Sequence, residues 1–94
     1  MDTATFEAAL KSKGITDIEH RDGAPNFAAK PHTHPFEVHA LVLAGEFGLD
    51  RNGALETYRV GETFTMEPGC MHAEIFGPEG SKYVLGRRHP EKTG

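Results

Sequence analysis

The sequence predicts an all-β fold, a sandwich or barrel of short strands with one helix at its front. Three observations carry that prediction. Beyond Gly14 the 94-residue chain divides into short apolar runs, several alternating with polar residues as half-buried strands do. Turn-forming residues punctuate these runs at close spacing: Gly23 and Pro25, Asn52-Gly53, Gly61, Pro68-Gly69 and Gly77-Pro78. A helical pattern stands only at the front, in Thr5–Lys13, where Phe6, Ala9, Leu10 and Lys13 recur at helical spacing.

Taken in order, the helix has Asp2, Thr3 or Thr5 to cap its start and Gly14 to end it. Its apolar stripe is narrow, so it should lie against a sheet. Ile15–Glu19 alternates and is closed by Arg21-Asp22-Gly23-Ala24-Pro25. Phe36–Leu43 is the strongest strand and ends at Ala44-Gly45. Glu46–Asp50 follows, and Asn52-Gly53 is a strong hairpin signal returning the chain through Leu55–Val60. Thr63–Glu67, Met71–Phe76 and Ser81–Arg88 complete the set, separated by Pro68-Gly69 and Gly77-Pro78-Glu79-Gly80. No internal boundary or repeat interrupts the pattern. All 94 residues read as one domain: a helix at about 4–13, a barrel at about 15–88 and a polar tail at 89–94.

Bulk properties exclude several classes of function. A formal net charge of −4, with Arg87-Arg88 the only adjacent basic pair, argues against a nucleic-acid partner. No apolar run approaches the roughly 20 residues of a membrane span. The Met1-Asp2-Thr3-Ala4-Thr5 start has no basic segment leading into an apolar one. Cys70 is the only cysteine, which rules out an internal disulfide and fits a reducing compartment, so a cytoplasmic location is expected. A core this thin and strand edges this exposed predict a homodimer.

The histidines carry the chemistry. His32 and His34 form an H-x-H pair, and alternate residues of an extended segment point to the same side. Pro31 and Pro35 stiffen that segment. His72 follows Pro68-Gly69 and would arrive from a different strand, and His39 comes within reach if the chain bulges near Pro35. Converging imidazoles inside a β structure describe a transition-metal site. His20 and His89, in polar surroundings, read as surface residues. Glu74, two residues after His72, should point into the same cavity as a candidate catalytic base or metal-site partner. Glu37 is a second candidate of that kind.

At these residues the chain resembles the cupin superfamily. His32-Thr33-His34-Pro35-Phe36-Glu37-Val38-His39, with Leu41-Val42-Leu43-Ala44-Gly45-Glu46 behind it, is similar to the first cupin motif. Gly61-Glu62-Thr63-Phe64 and Pro68-Gly69-Cys70-Met71-His72 are similar to the second. The ending from Gly77 to Arg88 resembles very small single-domain cupins. The resemblance implies an all-β antiparallel jelly-roll barrel with one short N-terminal helix, holding a metal inside through His32, His34 and His72. The glutamate that the first motif usually carries is absent. Val38 and His39 occupy its place, with Glu37 one residue early. His39 and Glu37 share one face of a regular strand, and His39 has the matching spacing from His34, which favours a four-histidine set. Glu67 stands where the second motif usually has proline, and Phe76 where many members have asparagine.

A nitrogen-rich set suits one divalent transition metal (iron, manganese, nickel, zinc or copper) and disfavours calcium and magnesium. The expected activity is that of a metal-dependent enzyme, dioxygenase-like or a Lewis-acid lyase or isomerase, on a small oxygenated metabolite. The alternative is a non-catalytic sensor that binds a small molecule or the metal alone. Phe36, Phe47, Phe64, Met66, Phe76 and Tyr83 are candidates for core or pocket wall. Either Arg87 or Arg88 could meet a substrate carboxylate, since adjacent strand residues face opposite sides.

Overall fold

The computed structural model describes residues 1–90; the end of the expected polar tail, 91–94, lies outside the described residues. One helix, α1 (Thr3–Ser12), leads into six strands: β1 (Asp17–Gly23), β2 (Glu37–Arg51), β3 (Ala54–Arg59), β4 (Thr63–Met66), β5 (His72–Ile75) and β6 (Ser81–Arg88). Asp2 caps the helix by accepting from the Thr5 amide at 2.7 Å. At the other end Gly14 and Ile15 donate to the carbonyls of Lys11 and Leu10, closing the last turn.

Every ladder is antiparallel. The architecture is an all-β barrel in which β2 belongs to two sheets. Its first part pairs with β6 and β4, and its second part with β3 and β5. Two strands were expected here, divided at Ala44-Gly45. The structure instead carries one 15-residue strand through that point, with a register shift between Val42 and Ala44. Gly45 takes a φ of 70° at this irregularity. The extra residue reverses the inward parity: Val38, Ala40 and Val42 face the interior before it, Phe47 and Leu49 after it. A strict alternation would have turned the second half of β2 inside out. The Asn52-Gly53 hairpin forms as expected, both residues at positive φ and Arg51 opposite Ala54.

Alternation along β2 and β6 divides the apolar residues between two cores. The barrel interior holds Val38, Phe47, Phe64, Met66, Tyr83 and Leu85 among others. On the outer side, Leu41 and Val84 pack under Phe6, Leu10 and Ile15, so the narrow helical stripe does lie on a sheet. Gly86 permits this approach; a Cβ there would stand 2.6 Å from Leu10 Cδ1. No helix among the described residues is long and apolar enough to cross a membrane.

Candidate metal centre

The segment between β1 and β2, which carries the H-x-H pair, is zipped along β5. The Ala29 amide donates to the Glu74 carbonyl at 2.9 Å, and the Phe76 amide to the Phe27 carbonyl at 2.8 Å. His32 and His72 then exchange both backbone hydrogen bonds, at 2.8 and 3.0 Å, as a directly opposed pair. His34 is two residues beyond His32 on the same side, and its carbonyl accepts from the Gly69 amide. The three imidazoles converge, with ring centroids 4.5 to 5.0 Å apart. Glu74, two residues after His72 on β5, brings its carboxylate to 3.3 Å from His32 Nε2 and 3.7 Å from His72 Nε2. His32, His34, His72 and Glu74 offer four donor atoms that lie within 4.8 Å of one another.

Backbone carbonyls orient two of the rings. His32 Nδ1 donates to the Lys30 carbonyl at 2.7 Å and His72 Nδ1 to the Cys70 carbonyl at 2.9 Å. A carbonyl only accepts, so Nδ1 holds the proton, and in the neutral ring Nε2 is left as a lone pair. His72 is 2% exposed, and its Nε2 is buried with no hydrogen-bond partner among the described residues. Burial, followed by the neighbouring His72 and His32, pushes the His34 imidazole below its ordinary value and favours its neutral, ligating form. The donor set therefore consists of electron pairs aimed at one point, which a cation would satisfy. Three nitrogens and a carboxylate fit a transition metal.

His39 and Glu37 are not part of this group. They do share a face, but it is the outer one: His39 alternates with the inward Val38 and Ala40. His39 lines a separate cavity of about 170 Å³ beneath the helix, beside Phe6 and Leu10. Its Nε2 lies 2.9 Å from Glu37 Oε2, and Arg88 reaches the same oxygen at 3.2 Å. The carboxylate in the cluster comes from the opposite side of the site, from β5. Cys70 contributes its carbonyl, as a structural residue would. His20 is exposed and 3.8 Å from Glu7, whereas His89 is held at 2.6 Å by Asp17.

His34 and Glu74 open onto a cavity of about 210 Å³ inside the barrel. Its apolar wall includes Phe36, Phe47, Phe64, Met66 and Leu85. Arg21, Tyr83 and Arg87 also line it. Sequence reading placed Tyr83 correctly, left Arg87 and Arg88 unresolved, and missed Arg21. The register of β1 against β6, with Arg21 opposite Tyr83, is what brings Arg21 in.

The antiparallel barrel, whose interior the cluster faces, has the cupin fold. Solved structures share it. An RmlC-like cupin from Shewanella frigidimarina NCIMB 400 matches at a TM-score of 0.68 and 17% identity, over 80% of this chain and 67% of that one. The polyketide cyclase RemF from Streptomyces resistomycificus matches at 0.64 and 24%, over 83% and 64%. An oxalate decarboxylase from Lactobacillus farciminis matches at 0.67 and 18%, over 79% of this chain and 23% of that one. No protein-family model matches the chain, and no curated protein matches it.

Proposed function

We propose that this chain is a metal-dependent enzyme, dioxygenase-like or a Lewis-acid lyase or isomerase, acting on a small oxygenated metabolite. His32, His34 and His72 hold one divalent transition metal, and Glu74 supplies the carboxylate of the set. The observation that carries this reading is the buried His72 Nε2, aimed without a partner at the point where the other donors converge. When bound, the metal supplies Lewis acidity at that point. The chain's own groups do the rest. The Lys30 and Cys70 carbonyls fix two imidazoles, the apolar wall limits water, and Glu74 has two oxygens, one to face the metal and one to hold a proton. Two proteins that share the fold are enzymes by name, a cyclase and a decarboxylase. We place the chain in the cytoplasm, as a homodimer with a small-molecule substrate.

A non-catalytic sensor is the second reading. It is favoured by the four protein donors, which would close a tetrahedral shell. Metal content by mass spectrometry tests the site. After loading, the wild type and His39→Ala should hold near-stoichiometric metal, while His72→Ala should lose it. A loaded wild type should then consume oxygen or convert a keto or hydroxy acid. Inert, fully loaded protein would favour the sensor, and a wild type that cannot be loaded would remove the metal from both readings.

A further inference from the structure

The polar groups that line the interior cavity divide into two kinds. His34 and Glu74 belong to the cluster. The other three, Arg21, Tyr83 and Arg87, are hydrogen-bond donors. They share one face by register: Tyr83, Leu85 and Arg87 alternate inward along β6, and Arg21 stands opposite Tyr83 on β1.

Each guanidinium is held from the rim and keeps N–H groups free. Arg87 donates to Glu19 at 2.6 Å and to Asp17 at 3.3 Å. Its guanidinium carbon lies 5.6 Å from the centre of the Phe36 ring, and its side chain is only 16% exposed. Arg21 spends its Nε on Glu19 at 2.8 Å, which leaves its two terminal nitrogens. Across the ladder from Arg21 stands Tyr83, which is 7% exposed. Burial pushes the Tyr83 phenol above its ordinary value, so the hydroxyl keeps its proton and remains a donor. The rim carboxylates Asp17 and Glu19 are about two-fifths exposed, where solvent screens them. All three donors line one small cavity in the barrel.

We infer that Arg21, Arg87 and Tyr83 form an anion-recognition site within the barrel, and that the ligand is a small carboxylate with an apolar body. The carboxylate meets the two guanidiniums and the phenol, and the body lies against Phe36, Phe47, Met66 and Leu85. A cavity of about 210 Å³ is below the roughly 300–1,000 Å³ of drug-sized ligand sites, which excludes nucleotides and oligosaccharides. This inference rests on the reading of the barrel interior as the functional site and names the ligand class that the site accepts.

The test uses benzoate and its neutral isostere benzamide, titrated into zinc-loaded protein and followed by amide NMR shifts. Benzoate should bind at least about tenfold more tightly, since charge-assisted hydrogen bonds are roughly twice as strong as neutral ones. Arg21→Gln should weaken benzoate about tenfold and leave benzamide unchanged, and Arg21→Lys should recover part of the loss. Arg21 is half exposed, so its replacement preserves the fold, which the amide spectrum verifies directly. Equal binding of the two probes, binding of neither, or an unchanged Arg21→Gln would overturn the inference. Zinc content measured on the same samples separates the two readings. Full zinc without charge discrimination overturns the carboxylate site alone. Discrimination without zinc supports it and overturns the metal.

Discussion

Two imidazole Nε2 atoms face the Glu74 carboxylate across 3.3 and 3.7 Å in the cluster, and in the neutral rings both nitrogens are lone pairs. With the rings neutral and no cation bound, the Glu74 charge is a local cost; with a cation it becomes an attraction. Glu74→Gln separates these cases by sign. The metal-free variant should melt at or above the wild type, because an amide N–H₂ can donate to the Nε2 lone pairs that a carboxylate repels. The metal-loaded variant should melt below it, since about tenfold weaker binding removes about 1.4 kcal/mol of ligand-linked stability. Differential scanning fluorimetry with and without zinc measures both. A zinc-induced gain equal to the wild type's would exclude Glu74 as a donor. The convergence of His32, His34, His72 and Glu74 was legible because each pair sits two residues apart on an extended segment, a relation that holds wherever the segment goes. His39 lies outside the cluster for the opposite reason: its facing depends on the parity of β2, and a spacing matched by resemblance does not set parity.

At the scale of elements, the legible parts were those fixed by neighbours in sequence. The helix, its Gly14 stop and the Asn52-Gly53 hairpin all form where turn chemistry puts them. The continuity of β2 and the zipping of residues 26–34 along β5 were not legible, because both depend on pairing with remote strands that the local pattern does not name. The same long-range register builds the charged rim between β1 and β6. Asp17 is held below the ordinary carboxylate range by His89 and then Arg87. Arg21 and then Arg87 do the same for Glu19, and His39 and then Arg88 for Glu37. A carboxylate depressed in the folded state contributes stability that is present above its unfolded value and lost as pH falls through its folded one. The melting temperature should therefore begin to decline as pH falls below about 6.5, where the depressed His34 resists protonation, and fall further below about pH 4, with the lower limb shallower in high salt. These carboxylates are largely exposed, so each contribution is small. Replacing Asp17 by Asn and Glu19 by Gln together should lower stability at neutral pH and flatten the acid limb. An acid limb as steep as the wild type's would show that the rim does not drive it.

For the whole molecule, the strand order leaves β1 and β3 at the ends of the path, each paired on one side only. Unpaired strand edges invite another chain, and a chain of this size buries a smaller share of its surface than a larger domain does. Apolar side chains also stand in the open: Leu55 near the start of β3 and Val60 just past its end are each about three-fifths exposed, and Met71, Ile75 and Phe27 around β5 are exposed as well. Self-association through an edge or outer sheet face would cover such residues and lengthen a ladder at once, and closed two-fold pairing is its commonest form. Light scattering after size exclusion should accordingly give twice the mass of one chain at micromolar concentration. Leu55→Glu and Ile75→Glu then divide the alternatives. Dissociation by the first alone places the interface at β3, dissociation by the second alone places it beside β5, and a dimer unaffected by either leaves the β1 and β4 edges. A wild type that elutes as a monomer across that concentration range would show that the two cores suffice by themselves.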